Sequence, residues 1–436
     1  MDDALPLWDP ERDLLALPGA PGWSRPCARR VRAAFEGVGA RLVAEGALKP
    51  GALLPAVSVL DRGAERMLRR RVLTVVACLE RVIECYPEVR RLWDFLDIPP
   101  VLHRWILRHE HPKRLRVDFC RLDLLGAGLD SVRVLEFNPS SPGGVLVAGA
   151  VNREWRRSPV GAVLADWGVP ATPVERPAWF ADWLLAHGRE RGVSDADTQR
   201  IALVWGRWRT RFETDMMRAQ FAARGRTLTA VDADDDAALS GFALAFLKYI
   251  PDDAAEVERW DTLCARLTAG DLVAPNPPAE RWVAENKLCL AVLSDPRFRH
   301  LFTPEQHRAL DALVPWSRKL GDGVSPAEAI AGRVELVLKA PYGYRGQAVH
   351  LGADTDADTW AGLLRDPARR GWLVQERVVP GRVDTHEGRY LRDLKVPILR
   401  GRVIGYASRM GRNHILNGAR GNGMAAVFAP HDLEGD

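Results

Sequence analysis

The sequence has no long hydrophobic run, no paired cysteines and very little lysine, and each shortage narrows the field. The longest apolar stretches, such as Leu146–Val151, are far too short to cross a bilayer, so no membrane association is expected. The start, Met1-Asp-Asp-Ala4, is acidic and lacks a basic-then-apolar leader, so no export signal and a cytoplasmic location are expected. Cys27, Cys78, Cys85, Cys120, Cys264 and Cys289 include no C-x-x-C pair. That argues against a zinc site or a disulfide framework and for free thiols in a reducing compartment. There is no internal repeat and no low-complexity tract. Lysine stands at only seven positions (49, 113, 248, 287, 319, 339 and 395) among 61 basic residues. Genomic base composition is the plain account. Its corollary is that a lysine kept in a buried-looking setting does something arginine cannot.

What is present is globular in character. A chain of 436 residues, 47% hydrophobic and 27% charged, has room for two or three domains. A net charge of +4 admits anionic substrates without requiring nucleic acid. The arginines are interleaved with carboxylates, so an arginine-rich nucleic-acid binder ranks last among the function classes considered.

Residues 1–30 read as an irregular arm and 31–110 as helical, with Met67, Val72, Val75, Val76, Leu79, Val82 and Ile83 at helix-like spacings. Between 115 and 138 the period changes. Arg116–Leu125 and Val132–Asn138 flank Gly126-Ala-Gly128, a hairpin with a loop longer than two residues. From 158 to 280 strands and helices alternate (strands Ile201–Trp205, Thr227–Val231, Phe242–Tyr249 and Asp271–Ala274), which implies an open α/β layer. Arg281–Leu293 reads as a helix, and Thr303 N-caps another. Strands are expected at Glu335–Leu338, Trp372–Val379 and Leu394–Ser408, the last a hairpin about Arg400-Gly401. The fold class is therefore α/β (α+β). The expected divisions are 1–110 (arm and helices), 111–157 (hairpin and loop), 158–280 (α/β layer) and 281–436.

Several constellations could carry chemistry. Alternation along a strand puts Arg121 with Asp123 on one face, and Glu136 with Asn138 on another. Paired face to face, these give oxygen ligands of the kind Mg²⁺ takes, beside a guanidinium able to meet an anionic intermediate. A solvated face of an amphipathic hairpin is the competing reading, with about equal weight. Pro139-Ser140-Ser141-Pro-Gly-Gly144 offers hydroxyls and backbone amides for a carboxylate, or a plain turn before a helix near Val145. Lys339, with Gly343 and Gly346, follows a strand as a phosphate-cradling loop would, although neither a Walker A loop nor a dinucleotide fingerprint is present. Trp372–Val379 carries Gln375 and Glu376 on an otherwise apolar strand, as an adenine pocket does; a core strand is as good an account. Arg409 ends a strand ahead of Asn417–Gly423, a glycine-rich segment that could close over a site. Lys287 sits before a short helix, within reach of a phosphate or simply exposed.

Taken in order, R-x-D, L-E-x-N with Ser and Gly-Gly behind it, a helix lysine, V-L-K with glycines, L-V-Q-E-x-V and G-Y-x-x-R with a glycine-rich stretch resemble the ATP-grasp ligases. The acidic motif precedes both lysines, as in the circularly permuted branch that includes eukaryotic-type glutathione synthetase and glutathionylspermidine synthetase. The resemblance covers about 115–145 and 281–428, and 158–280 sits where that branch carries its substrate domain. It implies an ATP-grasp fold and ATP and Mg²⁺ as cofactors. Asp123, Glu136 and Asn138 would be metal ligands. Lys287, Lys339, Gly343 and Gly346 would lie on the phosphates, and Gln375, Glu376 and Val378 at the adenine hinge. Arg121, Ser140, Ser141 and Arg409 would surround the substrate and acyl phosphate, and Gly421 and Gly423 would fall in the closing loop. Two departures stand out. Relatives have Lys-Pro where this chain has Lys339-Ala340, and an acidic residue near the phosphate loop where it has Tyr342 and Arg345, which leaves the number of magnesium ions open. The implied activity is an ADP-forming carboxylate–amine ligase acting on small amino-acid or peptide-like substrates. The alternative is a nucleotide-binding protein or scaffold without ligase activity. Neither the substrates nor the oligomeric state, a homodimer included, follows from the sequence.

Overall fold

The computed structural model describes residues 25–108, 117–128, 131–140, 142–205, 211–248, 254–343, 348–385, 388–413, 416 and 422–433. The chain is a mixed α/β protein. It opens with helix α1 (Arg25–Ala44), strand β1 (Leu53–Val59) and helix α2 (Arg62–Cys85). The stripe Leu68, Val72, Val75, Val76, Leu79, Val82 and Ile83 on α2 is at most 3% exposed. It recurs at three- and four-residue intervals, so one apolar face packs down the length of the helix. The Asp61 carboxylate accepts from the Ala64 amide at 2.8 Å and caps the N-terminus.

The expected hairpin follows as β2 (Phe119–Leu125) and β3 (Arg133–Asn138), antiparallel partners. Helix Val145–Arg156 leaves it from Gly144, whose φ of 81° suits glycine. Strands β4 (Arg200–Trp205), β5 (Thr227–Asp232) and β6 (Ala245–Lys248) form a small parallel sheet in the order β5-β4-β6. Strands β7 (Ser317–Leu320), β8 (Gly323–Val324), β9 (Leu336–Lys339), β10 (Val349–Leu351) and β11 (Leu373–Glu376) form a second sheet in the order β10-β9-β11-β7-β8. The chain ends with β12 (Gly381–Thr385), β13 (Gly388–Arg392), β14 (Leu394–Leu399), β15 (Arg402–Val403), β16 (Tyr406–Gly411) and β17 (Gly423–Phe428). These join the hairpin in a central sheet of order β1-β17-β16-β14-β2-β3, so residues about 270 positions apart become neighbours. Among the described residues, no helix is long and apolar enough to cross a membrane.

Four expectations are corrected. Residues 25–30 belong to α1 and are not irregular. Strand β1 interrupts the region read as helical. Pro55 argues against a strand in Leu53-Leu-Pro-Ala-Val-Ser-Val59, but β1 lies at the edge of the central sheet, where a missing N–H is tolerated. Val273 makes only an isolated bridge to Leu244 in place of the strand read at 271–274. Arg281–Leu293 is two helices, Pro278–Glu285 and Leu288–Ser294. The break is local. The Asn286 amide donates to the Leu96 carbonyl at 2.9 Å, and its oxygen accepts from the Leu288 amide at 2.9 Å.

Gly423, read as part of a closing loop, is the first residue of β17 and pairs with Met410. A Cβ there would lie 2.6 Å from Leu54 Cγ and 2.8 Å from the Ala52 carbonyl oxygen, so glycine lets β1 approach β17. Gly423→Ala is expected to lower unfolding free energy by roughly 1–3 kcal/mol through overpacking, read as a drop in the urea midpoint at unchanged m-value. An unchanged midpoint would contradict this packing role.

Candidate functional site

Register builds the site. Asp123 faces Glu136 across β2–β3 and Lys395 across β2–β14, while Arg121 faces Asn138. Asp393 and Lys395 are two residues apart and share a face. Lys395 also opposes Ala407 on β16, two residues before Arg409. The outcome is a buried ring of alternating charge. The Lys395 ammonium lies 2.6 Å from Asp123 and 3.7 Å from Asp393; Arg409 lies 2.9 Å and 2.8 Å from the same carboxylates. Arg121 closes on Asp123 as a fork, with Nε donating at 2.6 Å and Nη2 at 3.0 Å, and its Nη1 donates to the Gly143 carbonyl. Burial alone would raise the Asp123 pKa; Arg121, then Lys395 and Arg409, outweigh it and hold the carboxyl well below the usual range. Burial, with Arg121 and Arg409 beside it, pushes Lys395 down to about 8.

A second group meets this one from the other sheet. Pairing in the hairpin shifts between Asp123–Glu136 and Leu124–Val134, so Leu135 is an extra residue on β3. Such a bulge leaves a carbonyl outside the ladder. The Lys339 ammonium on β9 donates to the Leu135 carbonyl at 3.1 Å and to Gln375 Oε1 at 2.6 Å. Alternation along β9 and β11 makes this contact. Leu338 and Val374 pack with Trp360 and Leu364, which turns Lys339 and Gln375 to the opposite face. Lys287 lies 3.8 Å from the Glu136 carboxylate and donates to the Gly343 carbonyl at 2.7 Å. Burial pushes Lys339 down to about 8, with Glu136 opposing the shift and Lys287 reinforcing it. The Ser140 amide donates to Glu285 at 3.1 Å, and burial raises that carboxyl's pKa.

The expected site residues Arg121, Asp123, Glu136, Asn138, Lys287, Lys339, Gly343, Gln375 and Arg409 therefore gather where the two sheets meet. Ser140 borders them through Glu285. The Glu376 carboxylate is engaged by the Trp316 amide at 3.1 Å, and Val378 is half-buried beyond the end of β11. Gly423 stands apart in β17, as described above. Ser141, Gly346 and Gly421 lie outside the described residues. Lys395, Asp393 and Glu285 were not among the expected residues. The scarcity of lysine was the signal for the first: of the six lysines among the described residues, five (Lys248, Lys287, Lys319, Lys339 and Lys395) are buried.

The implied magnesium set does not fit as a set of three. Asp123 accepts four hydrogen bonds from three cations, three at Oδ2 and one at Oδ1, so its charge is already matched by close cations. A divalent ion about 4 Å from any one of those cations would be repelled by on the order of 8 kcal/mol at an effective dielectric constant near 20. Glu136, 32% exposed in its side chain, and the half-buried Asn138 remain as oxygen donors. No group of three His, Cys, Asp or Glu suited to a metal occurs among the described residues.

No family model matches the chain, and no curated protein matches it. A solved structure from Methylobacillus flagellatus KT, carrying the provisional name gamma-glutamylcysteine synthetase, is 14% identical. The likeness covers 80% of this chain and 85% of that one with a TM-score of 0.37, too loose to bear on function.

A pH test reads the buried lysine directly. The unfolded side chain titrates near 10.4, above the folded value of about 8. Between these values the unfolded chain binds more protons, so folding is favoured as pH rises across that window and the penalty is full below it. The difference in unfolding free energy between wild type and Lys339→Met is expected to shift in favour of wild type from pH 8 to pH 10. A flat difference would contradict the burial of a charged Lys339.

Proposed function

We propose that this chain is an ATP-dependent ligase that joins a carboxylate to an amine through an acyl phosphate, releasing ADP. One observation carries the reading: Lys287 and Lys339 flank Glu136 beside the Arg121–Lys395–Arg409 cluster. Five cations face four carboxylates there (Asp123, Glu136, Glu285 and Asp393), a formal excess of positive charge suited to a polyphosphate.

In this reading Lys287 and Lys339 hold the phosphates and offset the repulsion between ATP and an incoming carboxylate. Both ammonium groups now donate to backbone carbonyls, so a phosphate would exchange a neutral acceptor for a charged one. The carboxylate oxygen attacks the γ-phosphorus and ADP leaves. The amine then attacks the acyl carbon, phosphate leaves and the nitrogen gives up a proton. Arg121 and Arg409 would meet the oxyanion of the tetrahedral intermediate, an effect of ~3 kcal/mol for one such donor. Gln375 sets the direction of Lys339, and Glu376 and Val378 are assigned to the nucleotide's base and ribose. The parallel sheet β5-β4-β6 is assigned to substrate binding, within a division at 158–280.

Incubation with ATP, Mg²⁺ and amino-acid mixtures is expected to yield ADP and phosphate, with Lys339→Ala and Glu136→Ala each lowering turnover at least a hundredfold while the far-ultraviolet spectrum is kept. AMP and pyrophosphate would refute the acyl-phosphate route. Stabilisation by ATP without product under every substrate set would favour the non-catalytic alternative.

A further inference from the structure

We infer that Lys395 is a built-in cation that takes the place of a metal ion at Asp123, and that Asp123 is a positioning residue, not a metal ligand. The inference rests on the ligase reading for its purpose but on the ring geometry for its substance. Lys395 is 3% exposed, and its ammonium makes its shortest contact, 2.6 Å, with Asp123 Oδ2. Asp393 lies on its other side at 3.7 Å. The ammonium thus stands between the carboxylate of Asp123 on β2 and that of Asp393 just ahead of β14, hydrogen-bonded to the first and in ion-pair range of the second. The other cations around it are Arg121 on β2, tied to Asp123, and Arg409 on β16, tied to both Asp123 and Asp393.

Arg409 Nη2 already touches both carboxylates, and the compact ammonium with its three donors fits into the space left beside it. The chain, otherwise so poor in lysine, places one here. Asp123 Oδ2 already takes three donors and Oδ1 takes Arg121 Nε, so the carboxylate faces three close cations, which would repel a metal, while Lys395 is in place. Its work is to hold Arg121 and Arg409 at fixed positions: Arg121 Nη1 reaches the carbonyl of Gly143, in the loop ahead of helix Val145–Arg156. Any divalent ion in this centre is then left to Glu136 and Asn138, with a polyphosphate supplying the remaining oxygens.

Mn²⁺ binding to the whole protein, followed by electron paramagnetic resonance with and without a non-hydrolysable ATP analogue, tests this. Asp123→Asn is expected to leave Mn²⁺ affinity within twofold of wild type. Lys395→Gln is expected to uncover a site on Asp123 that tightens Mn²⁺ binding at least tenfold or adds one ion, and Lys395→Gln/Asp123→Asn to abolish that gain. A tenfold loss of Mn²⁺ affinity in Asp123→Asn alone, or no gain in Lys395→Gln, would overturn the inference. If the analogue fails to bind any variant, the ligase reading falls, while the comparison of Lys395→Gln with the double variant in Mn²⁺ alone still decides the role of Lys395.

Discussion

A single buried carboxylate organises this molecule. Asp123 is 3% exposed and holds three cations, contributed by β2, β14 and β16. A charge removed from water is tolerated only with partners of opposite sign, and removing one partner of such a pair costs about 3–5 kcal/mol. The alternating ring with Asp393 extends the constraint across the centre of the sheet. The second sheet is held to the first at the Leu135 bulge, where a carbonyl freed from the ladder accepts from Lys339.

The buried lysines share a pattern that explains their placement. Lys287, Lys319 and Lys339 each donate to backbone carbonyls (those of Gly343, of Asp94 and Phe95, and of Leu135), and Lys248 and Lys395 lie on carboxylates. A compact ammonium with three donors suits a carbonyl at a strand edge or helix end better than a planar fork does. Lys319 ties β7 to the carbonyls that end helix Arg90–Leu96. Lys287 and Lys339 differ because they stand beside Glu136 and the charge ring. Burying them costs stability, and a polyanion in the same place would return part of that cost.

Local signals were enough for the elements whose packing is local. The apolar spacing of α2 marks its buried stripe because a helix packed mainly against other helices along one side buries a single face. The glycine pair at Gly126 and Gly128 marks the hairpin, and Thr303 caps its helix through a reciprocal bond with Gln306. Strand β1 was hidden because Pro55 is acceptable only at an edge, and edge position is a property of the whole sheet. Gly423 looked like part of a mobile segment because its neighbours are glycine and asparagine, yet the approach of Leu54 and the Ala52 carbonyl makes it a packing glycine.

The sequence by itself determined the mixed α/β character, the hairpin and the facing of Arg121 with Asp123 and of Glu136 with Asn138, because a strand's two-residue period forces those pairs to share faces. Tertiary structure alone decided that Lys395, Asp393 and Arg409 surround Asp123, that Leu135 bulges, and that Lys339 reaches it from another sheet. Those contacts depend on register between strands separated by up to about 270 residues, and register is set by how whole sheets bury their apolar faces, which no local period encodes.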